Sequence, residues 1–265
     1  TERNFEALVI ANEGENFSVG ANLTLVLLTA QGGDWDELDE AVRRFQSASM
    51  ALKYAPKPVV AAPFARVLGG GCEWVLHSTR AQASAELYMG LVEVGVGLIP
   101  AGGGCKEMIL RLRDPRKVFE LIGMAKVSSS AQDAQALGLL HKADSISMNP
   151  ERRLHDAKTL ALSLISAYSP GVPRCDVKVS GDAGYAAMKL AVWSMREGGF
   201  ISDHDAVIGE KLAYILSGGR GAGEPVVSEQ RLLDVEREAF LSLCGMQKTQ
   251  DRIQYMLKNG KPLRN

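Results

Sequence analysis

Nothing in the 265 residues reads as a membrane span, a secretory leader or a metal cage. No apolar run approaches the roughly 20 residues that a spanning helix needs. The opening "TERNFEALVI" lacks the pattern of a secretory signal. Cysteine is scarce: Cys72, Cys105, Cys175 and Cys244 are scattered, and no pair has metal-ligand spacing. In a chain of this size that usage points to a reduced, cytoplasmic protein. Excess charge is lacking too. With 30 Lys and Arg against 31 Asp and Glu, the net charge is −1. That balance argues against a general nucleic-acid surface, though it leaves room for a local basic patch. There is no fixed-period repeat and no low-complexity tract. No G-x-G-x-x-G turn follows the first strand-like run, so a dinucleotide fold fits poorly. "GLIPAGGGCK", from Gly97 to Lys106, has the glycine spacing of a phosphate loop. Gly103 and Gly104, however, stand where Lys and Ser/Thr should follow Gly102. The chain also starts without Met and enters a strand-like run almost at once. The expectation is therefore a piece of a longer polypeptide.

What is present suits one large α/β domain, or one such domain with a helical extension: 46% of the residues are hydrophobic. Phe5–Ile10 and "PVVAAPF" read as buried strands, and "RAQASAELYM" as strand material. "DWDELDEAVRRFQSASMALKYAPKP" reads as a helix with acidic residues early, basic ones later and a stop at Pro56 and Pro58. "GCKEMILRLRD", "PRKVFELIG" and "SAQDAQALG" read as further helices, the last capped by serine and stopped by Gly138. Strands and helices alternate up to about residue 148. Five helical segments separated by Gly, Pro and Ser turns follow. The expected division is an α/β core over 1–148 and a helical extension over 149–265.

The chemistry gathers around "RVLGGGCEWVLHSTR". A helix entered from Gly69, Gly70 and Gly71 leaves its first amides unpaired and slightly positive, and glycine lets a ligand approach them. Such a turn can hold phosphate, carboxylate or an oxygen that becomes negative during reaction. Glu73 follows in the first turn. Taken alone, it is more commonly a dipole-matched surface glutamate. Glu93 lies among Leu91, Val92, Val94 and Val96, where desolvation raises a carboxyl pKa and lets it deliver a proton near neutral pH. Its alternative is a strand-edge residue facing water. His77 shares a helix face with Glu73 and reads best as a hydrogen-bonded structural histidine. Cys72 and Cys105 read as small packing residues at helix starts, and Trp74, Trp193 and Met89 as core. "RLRDPRK" reads as a solvated helix end.

"KPVVAAPFARVLGGGCEWVLHS", "LYMGLVEVGVGLIPAGGG" and "ENFSVGANL" resemble the three signature segments of the enoyl-CoA hydratase (crotonase) family in sequence and spacing. "SAQDAQALGLLHKAD" resembles its next helix and strand. The resemblance implies an α/β spiral of ββα turns followed by an all-helical C-terminal extension. It implies an acyl-CoA thioester as substrate, and neither a metal nor a redox cofactor. Matched residue by residue, Glu73 and Glu93 are the catalytic glutamates. The amides of Ala21 and Gly70 form the oxyanion hole, and the amide of Ala101 lies near the catalytic water. The implied activity is syn hydration of trans-2-enoyl-CoA to 3-hydroxyacyl-CoA in fatty-acid β-oxidation. The chain looks most like the hydratase module of a bacterial fusion with a 3-hydroxyacyl-CoA dehydrogenase. The alternatives are a Δ3-Δ2-enoyl-CoA isomerase and a non-catalytic acyl-CoA-binding or assembly module. The helical tail implies a trimer-type homo-oligomer, or packing against a dehydrogenase region. Asn22, Thr79, Val92, Ala101 and Cys105 depart from the family's common residues, mostly without touching the backbone groups the chemistry uses.

Overall fold

A computed structural model describes residues 4–219 and 225–265. The elements begin with β1 (Leu8–Ile10), α1 (Leu23–Gly32), α2 (Trp35–Lys53), β2 (Val59–Ala61), β3 (Ala65–Leu68) and α3 (Gly70–Leu76). They continue with β4 (Arg80–Ser84), β5 (Leu87–Gly90), a 3-10 turn (Glu93–Val96), α4 (Gly104–Leu112), α5 (Pro115–Gly123), α6 (Ala131–Ala136) and β6 (Ser145–Ser147). The rest comprises α7 (Arg153–Leu164), β7 (Val177–Lys178), α8 (Gly181–Glu197), α9 (Asp203–Leu216), β8 (Val226–Val227), α10 (Glu229–Cys244) and α11 (Gln247–Asn259). They fall into two compact units. The first comprises Thr1–Ala21, Ser47–Leu91 and Val127–Pro173; the second comprises Asn22–Gln46, Val92–Lys126 and Arg174–Asn265.

The first unit carries a parallel sheet in the order β1-β2-β4-β6, with Leu8 opposite Val59, Val60 opposite Arg80 and Gln82 opposite Ser145. A parallel sheet is covered on both faces, so its strands read as continuous apolar runs, and Val59, Val60 and Ala61 are buried accordingly. Helix α7 packs on this sheet through Ala157 and Ala161 against Val60 and Ala62. A second parallel pair, β3-β5, sets Ala65 opposite Leu87 and Leu68 opposite Gly90. The run "RAQASAELYM" is thus two strands in two sheets, parted at Ala85 and Glu86. The expected strand over Phe5–Ile10 shortens to Leu8–Ile10, and Phe5 is exposed.

The second unit is helical apart from the antiparallel pair β7-β8. Helix α9 packs on α4, α5, α8 and α10, and α11 packs on α1, α10 and the 3-10 turn. Trp193, expected in the core, is 52% exposed on α8 beside the exposed Leu190, because α8 turns Met188 and Val192 inward instead. Trp74 is half-buried and Met89 fully buried. Among the described residues no helix is long and apolar enough to cross a membrane.

Candidate active site

In the first unit, β3 runs into α3 through Gly69, whose φ of 54° and ψ of −127° suit only a residue without Cβ. Its N–H donates to the Gly90 carbonyl at 3.0 Å, and its own carbonyl accepts from Glu73 N–H at 3.0 Å. Alongside runs the segment ending at Ala21. Ser18 N–H donates to Arg66 O at 3.2 Å, and Leu68 N–H donates to Ser18 O at 2.9 Å. A methyl built on Gly71 would lie 2.3 Å from Ser18 Cβ, so the Ser18 segment fits only over a bare backbone. A methyl on Gly20 would lie 4.0 Å from Gly70 N. The structure therefore sets the segment before Ala21 against the Gly70 turn. Among the described residues neither the Ala21 nor the Gly70 N–H has an acceptor.

Glu73 stands in the first turn of α3 and is 3% exposed, which removes its reading as a surface helix-start glutamate. Its carbonyl lies 2.7 Å from His77 Nδ1. A carbonyl can only accept, so the proton sits on Nδ1. His77 is buried and fixed to the helix, as a structural histidine should be. Cys72 is fully buried in the same helix.

In the second unit, Glu93 opens the 3-10 turn, which Gly97 closes at φ 86°. The alternative reading of Glu93 as a strand-edge residue does not hold, since it lies on a turn. The observed turn leaves Glu93, Val92, Val94 and Val96 half-buried. Leu98 N–H donates to the Glu93 carbonyl at 3.0 Å. The turn is held from α11: the Thr249 hydroxyl donates to Gly97 O at 2.9 Å and pairs with His204 Nε2 at 2.8 Å. Ala101 is buried, and its carbonyl accepts from Gln46 Nε2 at 2.7 Å. That amide also donates to Leu233 O at 2.8 Å. Ala21, Gly70 and Glu73 thus belong to the first unit, Glu93 and Ala101 to the second.

The glycine loop before α4 is occupied by the chain itself. Glu236, fully buried on α10, accepts from Gly103 N–H at 2.8 Å and from Lys106 N–H at 2.7 Å. An internal carboxylate fills the place a phosphate would need, which disposes of the phosphate-loop reading. Lys106 does not face that loop. Its Nζ donates to Glu107 at 2.5 Å and to Glu229 at 2.9 Å, with the lysine side chain and Glu229 fully buried. Burial works against the ammonium, but the two carboxylates outweigh it and hold its pKa above the ordinary lysine value. Sequence reasoning missed this cluster, since Glu229 and Glu236 lie more than 120 residues away and carry no local motif. Cys105 is buried at the start of α4, and its thiol faces Pro100 O at 3.9 Å. Arg113, Arg116 and Lys117 are exposed at the α4–α5 junction, where the Asp114 side chain caps α5.

Residues 1–168 match the family model described as enoyl-CoA hydratase/isomerase. A "Probable 3-hydroxyacyl-CoA dehydrogenase" of Bacillus subtilis is 51% identical over all of this chain, which spans 35% of that relative. A crotonyl-CoA hydratase of Syntrophomonas wolfei is 30% identical over 61% of this chain and 58% of its own length. Among solved structures, an enoyl-CoA hydratase from Bacillus halodurans superposes with a TM-score of 0.63 at 16% identity, covering 94% of this chain and 81% of that one. An enoyl-CoA hydratase/isomerase from Mycobacterium paratuberculosis gives 0.60 at 20% identity, covering 94% and 79%. At these identities the structural likeness establishes a crotonase-type fold.

Proposed function

The chain belongs to the enoyl-CoA hydratase/isomerase family, and on that premise we propose that it hydrates trans-2-enoyl-CoA thioesters. The observation that carries this reading is a buried carboxylate, Glu73, one helical turn from a glycine turn whose amide lacks an acceptor. Water addition to a conjugated C2=C3 bond pushes negative charge onto the thioester oxygen. The N–H groups of Gly70 and Ala21 stabilise that charge, and a single donor of this kind is worth roughly 10²–10³-fold in rate. Glu73 orients the water and takes its proton as the oxygen bonds to C3. Glu93 supplies the proton that C2 receives, so the product carries one added water and nothing is oxidised or reduced. The Ala101 amide helps to hold the water.

A double-bond isomerase needs only one proton-shuttling carboxylate. The presence of Glu73 beside the glycine turn, in addition to Glu93, favours hydration, because water addition uses a second carboxylate. Relatives named a probable 3-hydroxyacyl-CoA dehydrogenase and a putative fatty acid oxidation complex trifunctional enzyme support a place in fatty-acid oxidation, within a multifunctional protein that also carries 3-hydroxyacyl-CoA dehydrogenase activity. The helical extension then serves a trimer-type assembly or packs against the dehydrogenase region.

The test is product analysis with crotonyl-CoA and the full-length protein. Loss of the conjugated enoyl absorbance with accumulation of 3-hydroxybutyryl-CoA is expected. Interconversion of 2-enoyl- and 3-enoyl-CoA without a hydrated product, or no turnover, would overturn the reading.

A further inference from the structure

We propose that Thr249 is a positioning residue for Glu93, acting through the carbonyl of Gly97, with His204 fixing the direction of its hydroxyl. The inference rests on the hydratase reading, since it concerns how the proton donor of that reaction is aimed.

Glu93 sits on a turn of only four residues. Two of its constraints are internal: Leu98 N–H donates to Glu93 O at 3.0 Å, and Gly97 N–H to Val94 O at 3.2 Å. A short 3-10 turn has weak hydrogen-bond geometry and needs outside support to hold one conformation. That support comes from α11. The Thr249 hydroxyl reaches the Gly97 carbonyl at 2.9 Å, on a residue that is buried and holds a left-handed conformation at φ 86°. The backbones are in close contact as well. A methyl placed on Gly97 would lie 3.1 Å from both Cα and Oγ1 of Thr249, and 3.2 Å from Arg252 Cδ.

The proton positions follow from the acceptors. Gly97 O can only accept, so Thr249 must donate its single hydroxyl hydrogen there. The 2.8 Å contact to His204 Nε2 is then Nε2–H donating to Thr249 Oγ1. The relay runs His204 to Thr249 to Gly97, and each member has one direction only. Burial, with the charges of Arg252 and Lys248 adding to it, keeps His204 below its ordinary pKa, which favours the neutral ring. Thr249 is fully buried and His204 nearly so, and the hydroxyl's bonds run to Gly97 and His204. Their effect on the reaction must therefore pass through the turn's backbone.

The experiment compares crotonyl-CoA hydration by the full-length wild type with Thr249→Val and Thr249→Ser. Valine keeps the volume and deletes the hydroxyl, and serine keeps the hydroxyl and deletes a methyl. Thr249→Val is expected to lower kcat about 10–100-fold with KM within about twofold, the size of effect that misplacing a catalytic group produces. Thr249→Ser is expected to recover kcat to within about threefold. A merely structural role would lower stability in both variants and leave kcat per folded molecule alone. Wild-type kcat in Thr249→Val, or equal losses in both variants, would overturn the inference and leave the hydratase reading standing. Absence of hydration in the wild type would overturn both. Should Thr249→Val not fold, His204→Phe removes the donor that orients the hydroxyl. A fall in kcat of about threefold or more at unchanged KM supports the relay, and an unchanged kcat overturns it.

Discussion

Lys106 is a fully buried cation between two buried carboxylates, at 2.5 Å from Glu107 and 2.9 Å from Glu229. Glu229 also accepts from the Arg174 N–H at 3.0 Å, so the pair ties α4 to the strand-side entry of α10. Deleting one partner of such a cluster leaves the others desolvated without compensation. Lys106→Met should therefore destabilise the protein by about 3–5 kcal/mol in urea unfolding, and a loss under about 1 kcal/mol would show that the carboxylates find other partners. None of this was legible in the sequence, which presents Lys106 only as a lysine near a glycine loop. Glu73 and Glu93 could be singled out from the sequence, because each stands a few residues from a glycine turn. Trp193 was misread: an aromatic residue in a helical segment suggests core, but which side of α8 faces inward is decided by Met188 and Val192.

At the scale of elements, those with strong local punctuation were read correctly. Helix α2 carries Asp36 and Glu37 in its first turn and Lys53 in its last, matching the dipole. Helix α6 has its Ser130 cap bonded to Asp133 N–H at 3.1 Å. Helix α1 went unread, although Asn22 caps it through Thr24 and Leu25 N–H and Gly33 ends it at φ 78°. Its residues "LTLVLLTAQG" are mostly apolar, with Leu25 and Leu28 exposed and Thr29 buried, so no stripe at helical period announces it. The 3-10 turn under Glu93 was hidden for a related reason. The segment reads as an apolar run without a turn signal of its own before Gly97, and the turn closes through the αL conformation of Gly97, braced by Thr249.

Across the whole molecule, the α/β class and the helices that follow it were legible, while the parallel pairing of the strands and the division into two units, each assembled from three distant stretches, were not. Acid sensitivity is a property at this scale. His204 has its folded pKa below the ordinary value of 6.5, from burial first and then from Arg252 and Lys248, with Asp205 opposing. The unfolded chain therefore takes up this proton first as pH falls, and stability declines below about pH 6.5. Asp205 is shifted downward as well. Burial opposes its charge, but the hydrogen bond from Arg252 and its partners lower its pKa from 3.8, so its contribution is lost only at still lower pH. The urea midpoint should fall between pH 7.5 and 5.5, and His204→Gln should flatten that fall. An unchanged slope in the variant would assign the acid sensitivity to other groups. The central claim, that two glutamates do the proton chemistry of hydration, is tested most directly by the rate of crotonyl-CoA hydration in Glu73→Gln and Glu93→Gln of the full-length protein. Each variant keeps the fold and loses about 10²–10⁴-fold in rate on this account, whereas near-wild-type hydration in both would contradict it.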